Sequence, residues 1–75
     1  MKVLYLDTPS DADREALPEV RGLAAEWILR YPRPIVFAQC VFEHGQWWVI
    51  LVREDESSDI RSVVETSEGL DLEER

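Results

Sequence analysis

The first half of the chain has a short strand pattern followed by a helical one. Val3–Leu6 is a short apolar run closed by the turn-forming residues 7–10, which is typical of a strand leading to a helix start. We expect a turn of helix at Ala12–Leu17, a break at Pro18 and a main helix from there to Arg30 or Tyr31, because proline disrupts a helix interior. Apolar residues recur along the main helix with helical period. They are Val20, Leu23, Ala24, Trp27, Ile28 and Tyr31.

Two apolar runs in the second half of the chain predict a β-hairpin. Ile35–Phe42 and Trp47–Arg53 are rich in β-branched and aromatic residues, and residues 43–46 separate them. Glycine tolerates the positive φ of a two-residue hairpin turn, so we expect the turn at His44-Gly45. The pairs that follow are Glu43 with Gln46, Phe42 with Trp47, Val41 with Trp48, Cys40 with Val49, Gln39 with Ile50, Ala38 with Leu51, Phe37 with Val52 and Val36 with Arg53.

Apart from Gln39, both faces of this predicted hairpin are apolar between the strand ends, although a hairpin with one face in water normally has polar residues there. The main helix can cover only one face. We expect it to cover the face that carries Phe42, Trp47, Val49 and Leu51. The second hairpin face then needs cover from the C-terminal segment, from a second copy of the chain or from a different partner. Its residues are Phe37, Val41, Trp48, Ile50 and Val52.

The C-terminal third is less regular. Residues 54–59 form a charged loop, and Ile60–Thr66 fits either a strand or a helix, with its β-branched residues favouring a strand. Residues 69–75 are predicted to be a polar tail, frayed or forming a last helical turn. The fold class predicted is α+β: a single domain over residues 1–68, in which a small antiparallel or mixed sheet packs against a helix on one face.

Composition supports a single folded domain. A chain of 75 residues holds one core, and 45% hydrophobic residues are enough to form it. The one cysteine, Cys40, excludes an internal disulfide and is typical of a reducing compartment. No signal-peptide pattern and no apolar run of membrane-spanning length occurs. We therefore expect a cytoplasmic protein.

The charge balance points to the class of partner. Sixteen acidic residues against eight basic ones give a net charge of −8, and the arginines are scattered along the sequence. Binding to nucleic acid or to an anionic membrane is disfavoured, because phosphates attract basic surfaces. A protein with a basic surface is favoured, although the acidity is equally consistent with a halophilic origin or with solubility alone. The candidate acidic surface comprises Asp11, Asp13, Glu15 and Glu19 before and within the helix start, and Glu54, Asp55, Glu56 and Asp59 after the hairpin.

No residue pattern predicts catalysis, a metal or a cofactor. Cys40 and His44 are the only thiol and imidazole, and the predicted hairpin places them several residues apart. A calcium loop starting at Asp11 fails, because its sixth and twelfth positions hold Ala16 and Gly22 instead of glycine and glutamate.

These observations favour a non-catalytic protein-binding module, an inhibitor or regulatory protein that acts by protein–protein contact. A more specific hypothesis is an inhibitor of a host defence system, of the kind that phages encode, whose carboxylates imitate a nucleic-acid backbone. The alternative is a small subunit of a homo-oligomer, for example a homodimer, in which an enzymatic or ligand site forms only between chains.

Overall fold

The computed structural model describes residues 4–7 and 14–73, which form one mixed sheet with a helix on one side. The strands are β1 (Leu4–Asp7), β2 (Ile35–Glu43), β3 (Gln46–Arg53), β4 (Ser58–Thr66) and β5 (Gly69–Leu72), and they lie in the order β1-β2-β3-β4-β5. β1 runs parallel to β2, and the other neighbours are antiparallel. The predicted α+β class is confirmed.

The helical region has the two predicted pieces. A 3₁₀ turn (Arg14–Ala16) precedes helix α1 (Leu17–Arg30), so the predicted division next to Pro18 is confirmed, with the main helix beginning one residue earlier. Pro18 lies in the first helical turn. The N–H groups of that turn have no intrahelical acceptor, so proline, which lacks an N–H, costs the helix no hydrogen bond there. The helix ends where Tyr31 becomes extended. Val3, Ala12 and Asp13 lie outside the described residues.

The β2–β3 hairpin has the predicted turn and nearly all of the predicted register. His44 and Gly45 have φ values of 55° and 75°, the positive angles that a type I′ turn requires. Every predicted pair from Glu43–Gln46 to Phe37–Val52 is present. The pairing of Val36 with Arg53 is wrong, because a register irregularity between Ile35 and Phe37 gives Arg53 the partner Ile35. An extra residue of this kind redirects the strand end, and Ile35 joins the core with 2% exposure.

The C-terminal third adds two strands to the sheet. Ile60–Thr66 is part of β4, so the strand interpretation is confirmed. Residues 69–72 form β5, so the predicted polar tail is wrong over that range. Leu72 explains the difference, because it alternates with acidic neighbours and is only 6% exposed within the core. Residues 74 and 75 lie outside the described part of the chain.

The hydrophobic core lies between α1 and one face of the sheet. The helix contributes Val20, Ala24 and Trp27, and packs on β2, β3 and β5. As predicted, it covers the face that carries Trp47 and Val49. The remaining buried members are Ile35, Ala38, Cys40, Leu51, Val63 and Leu72.

Candidate functional site

The opposite face of the sheet, called here the open face, runs across β2, β3 and β4 and is mostly uncharged, with Glu43 at its hairpin-turn end. It includes the second hairpin face and extends onto β4. Backbone pairing sets its rows, because partners in register lie side by side. The rows are Phe37, Val52 and Ser58; then Gln39, Ile50 and Ile60; then Val41, Trp48 and Ser62.

No helix or strand within residues 4–7 and 14–73 lies over the open face, because the single helix there packs on the other side and all five strands belong to the sheet. On this face Val41 is 8% exposed, Trp48 and Ile50 are half-buried, and Ile60 is 50% exposed. Cover by the C-terminal segment was one expectation for this face. Instead β4 lies edge to edge with β3, so Ile60 stands beside Ile50 and enlarges the apolar surface.

A shallow groove crosses the open face. Its lining includes Val41, Trp48, Ile50 and Ile60 together with Gln39, and Glu43 at the hairpin-turn end is the one charged residue among its described lining residues. Ser62 is the buried polar residue of the face, and its hydroxyl donates to Glu73 Oε2 at 2.5 Å. The groove is therefore mostly apolar and is acidic at one end.

The candidate acidic residues do not form one surface. Asp11 and Asp13 lie outside the described residues. Glu15 and Glu19 are exposed at the start of the helical region, near the β2–β3 turn. The second group, Glu54, Asp55, Glu56 and Asp59, lies at the other end of the 14-residue helix, about 20 Å away.

Two members of the second acidic group, Asp55 and Asp59, are already bonded within the chain. Arg53 Nη1 lies 3.0 Å from Asp59 Oδ2, and it also donates to the hydroxyl of Tyr31, which in turn donates to Asp59. Arg53 Nε donates to Ser57 Oγ at 2.6 Å, and Asp55 accepts from the Ser57 backbone N–H at 3.1 Å. We call Tyr31, Arg53 and Asp59 the clasp, since they join the end of α1 to β3 and β4.

The clasp shifts the pKa values of its members. The hydrogen bond from Tyr31, together with the nearby Arg53 guanidinium, holds the pKa of Asp59 below its ordinary value of 3.8. The same hydrogen bond raises the pKa of Tyr31 above 10.0, because ionised tyrosine can no longer donate to the carboxylate. Hydrogen bonds from Ser57 lower the pKa of Asp55. These carboxylates are stabilised as anions by their own chain.

The fold gathers arginines that are far apart in the sequence. Arg30 and Arg61 line a recess with Trp27 and Tyr31, and the guanidinium of Arg61 lies 4.8 Å from the centre of the Trp27 ring. Arg33 and Arg53 line a neighbouring recess with Glu54 and Asp55. Sequence reasoning missed this grouping, because the sheet register and the helix end create it. The clasp end is therefore of mixed charge.

Cys40 and His44 are not arranged as a catalytic pair. Cys40 is fully buried, which raises the pKa of its thiol, whereas His44 is exposed in the turn four residues further along. At the rise of a β-strand, that separation is about 13 Å. No group of three or more His, Cys, Asp or Glu residues in the described part of the chain is placed to hold a metal ion.

No protein-family model, curated protein or solved structure matches this chain at a significant level. Within the described ranges, no helix has the length and apolar character that crossing a membrane requires.

Proposed function

We propose that this chain is a non-catalytic protein-binding module that docks its partner on the open face. One observation carries the proposal: a contiguous apolar surface across three strands, over which no described element lies. Apolar side chains gathered on one accessible face commonly mark interaction sites. Trp48 lies within the surface and is the residue type that most often anchors a protein interface.

The charge distribution favours a partner with a basic surface over a second copy of the chain. Two identical copies packed face to face would bring together two bodies of net charge −8. A partner with an apolar centre and a basic rim would gain attraction during encounter instead. In this function the open face supplies affinity, and the acids around it increase the association rate.

A regulatory or inhibitory role follows from binding without catalysis. The nucleic-acid-mimic hypothesis has weaker support, since a mimic presents a continuous row of free carboxylates. Here the acidic groups lie at opposite ends of α1, and Asp55 and Asp59 are bonded within the chain. We therefore favour an ordinary protein interface centred on the apolar surface.

Matched variants test the proposal. Ile60→Asp places a charge on the open face, and Leu29→Asp places the same charge at the 86%-exposed Leu29 on α1. Both variants are first checked for wild-type circular dichroism. Each is then immobilised for quantitative partner capture from the source cell, and its mass in solution is measured by ultracentrifugation. We expect a protein partner that wild type and Leu29→Asp retain and that Ile60→Asp loses.

Two results would contradict the proposal. Identical capture by all three proteins would place the function elsewhere. A wild-type homodimer that only Ile60→Asp dissociates would favour the homo-oligomer alternative.

A further inference from the structure

A second recess lies at the hairpin-turn end of the molecule, between the start of α1, the β2–β3 turn and the β4–β5 hairpin. We call it the turn cleft. Its lining residues are Ala16, Glu19, Phe42, His44, Gly45, Gln46, Trp47, Val63, Val64, Glu65 and Leu70. It has a volume of about 670 Å³, which is large enough for one or two side chains.

The interior of the turn cleft is apolar and aromatic. Phe42 and Trp47 lie 5.3 Å apart between ring centroids, at an interplanar angle of 55°, and Phe42 is only half-buried. Val63 and Leu70 complete this part of the lining and belong to the edge of the core. An occupant therefore meets a hydrocarbon surface with an accessible aromatic ring.

Among the residues that the structure describes, the charged ones that line the turn cleft are acidic. They are Glu19 and Glu65, and both are exposed on its rim. Glu19 is held in place because its Oε2 accepts a hydrogen bond from the Leu70 backbone N–H at 3.1 Å. The rim therefore presents a positioned carboxylate beside an aromatic interior.

We propose that the turn cleft binds an arginine side chain next to an apolar side chain in a segment of a partner protein. This inference rests on the proposed function, since the occupant belongs to a partner protein. It adds to the apolar contact on the open face a second contact, in the turn cleft, that selects an arginine. A guanidinium is planar and weakly hydrated, so it can stack on an aromatic ring while pairing with a carboxylate. An anionic ligand would be repelled by both glutamates.

The segment binds through its side chains and not as an added strand. On β5 the N–H groups of Leu70 and Leu72 point away from β4, as the register requires. They already donate to Glu19 Oε2 and to Asp71 Oδ1, at 3.1 and 2.8 Å. An incoming strand would have to displace both carboxylates.

The test uses a short blocked peptide of alternating arginine and leucine, titrated into the isotope-labelled full chain and followed by NMR. We expect saturable shifts centred on the Trp47 indole, His44 and Leu70, and loss of binding when citrulline replaces arginine. Glu65→Gln should weaken binding about two- to five-fold, the range of an exposed ion pair. Glu26→Gln makes the same charge change on an exposed part of α1 outside the cleft and should leave the affinity unchanged.

Equal affinity for the citrulline peptide, shifts centred on the clasp end, or equal effects of Glu65→Gln and Glu26→Gln would overturn the inference. Ile60→Asp separates it from the proposed function. That variant should lose the partner and keep the peptide. Peptide binding at the cleft together with partner capture that ignores Ile60 would overturn the proposed function alone.

Discussion

The two faces of the sheet are built from alternating residues of the same strands, and they differ in burial much more than in hydrophobicity. On β3, Val49 and Leu51 are fully buried under α1, whereas Trp48 and Ile50 on the open face are half-buried. The described helix covers the first face, and no described helix or strand lies over the second, on which Val41 is 8% exposed and Ile60 is 50% exposed. A hydrophobic strand pattern therefore indicates that a sheet face is suited to burial. It does not indicate whether the same chain or another molecule buries that face.

The largest expected effect compares neighbouring positions on these faces. Leu51→Ala should lower the free energy of unfolding by about 2–5 kcal/mol, because it leaves a cavity in a closed core. Ile50→Ala should cost about 1 kcal/mol, since it removes cross-strand contacts from a surface already in water. Urea denaturation of both variants and wild type measures the difference. Equal costs would mean that something covers Ile50 in the free chain, and the contrast between the faces would fail.

An intermediate effect is expected at the clasp, which holds α1 over the covered face. Tyr31→Phe removes the hydroxyl that donates to Asp59, and should lower the free energy of unfolding by about 1 kcal/mol at neutral pH. The loss of unfolding free energy in Tyr31→Phe therefore measures how much the clasp contributes to holding α1 against the covered face of the sheet.

The pH dependence of Tyr31→Phe checks the mechanism. Asp59 has a lowered pKa in the folded state, so its contribution is present above the ordinary value of 3.8 and is lost as the pH falls through the lowered one. Tyr31 has a raised pKa, so its contribution is present below 10.0 and is lost as the pH rises through the raised value. The stability difference between wild type and Tyr31→Phe should therefore be largest near neutral pH and shrink at both extremes. A difference independent of pH would show that the hydroxyl acts through packing alone.

The sequence predicted contacts that depend on neighbouring residues and missed those that depend on distant ones. His44-Gly45 determines its own turn, and period-two alternation carries the register outward from it. The register irregularity at Val36 was not predictable from alternation. It brings Ile35 into the core, and that core forms only when α1, which is distant from the hairpin turn in the sequence, packs on the sheet. β5 was missed because a four-residue strand becomes stable only when β4 pairs with it.

The candidate surfaces also differ in whether neighbouring residues alone could predict them. The second hairpin face was predictable from alternation within two adjacent strands, and only its extension onto Ile60 required the position of β4. The clasp was not predictable, since Tyr31 and Asp59 are 28 residues apart and meet only where the helix ends beside the β3–β4 connection. Charged residues grouped in the sequence proved to be a poor guide, because Asp55 and Asp59 are bonded within the chain while Glu19 and Glu65 share one cleft.

The smallest expected effect on stability is also the most direct test of whether the open face acts as one surface. Ile60→Thr keeps a β-branched residue at a 50%-exposed strand position, and Leu29→Gln keeps a good helix former at an 86%-exposed helix position. Both should change the free energy of unfolding by no more than about 0.5 kcal/mol. Ile60 lies beside Ile50 within an apolar groove, whereas Leu29 lies on the outer side of α1. Fluorescence of the apolar dye anilinonaphthalene sulfonate, measured with each variant, should therefore fall with Ile60→Thr and stay unchanged with Leu29→Gln. An equal change in dye fluorescence with both variants would mean that the open face binds the dye no better than an isolated exposed side chain does.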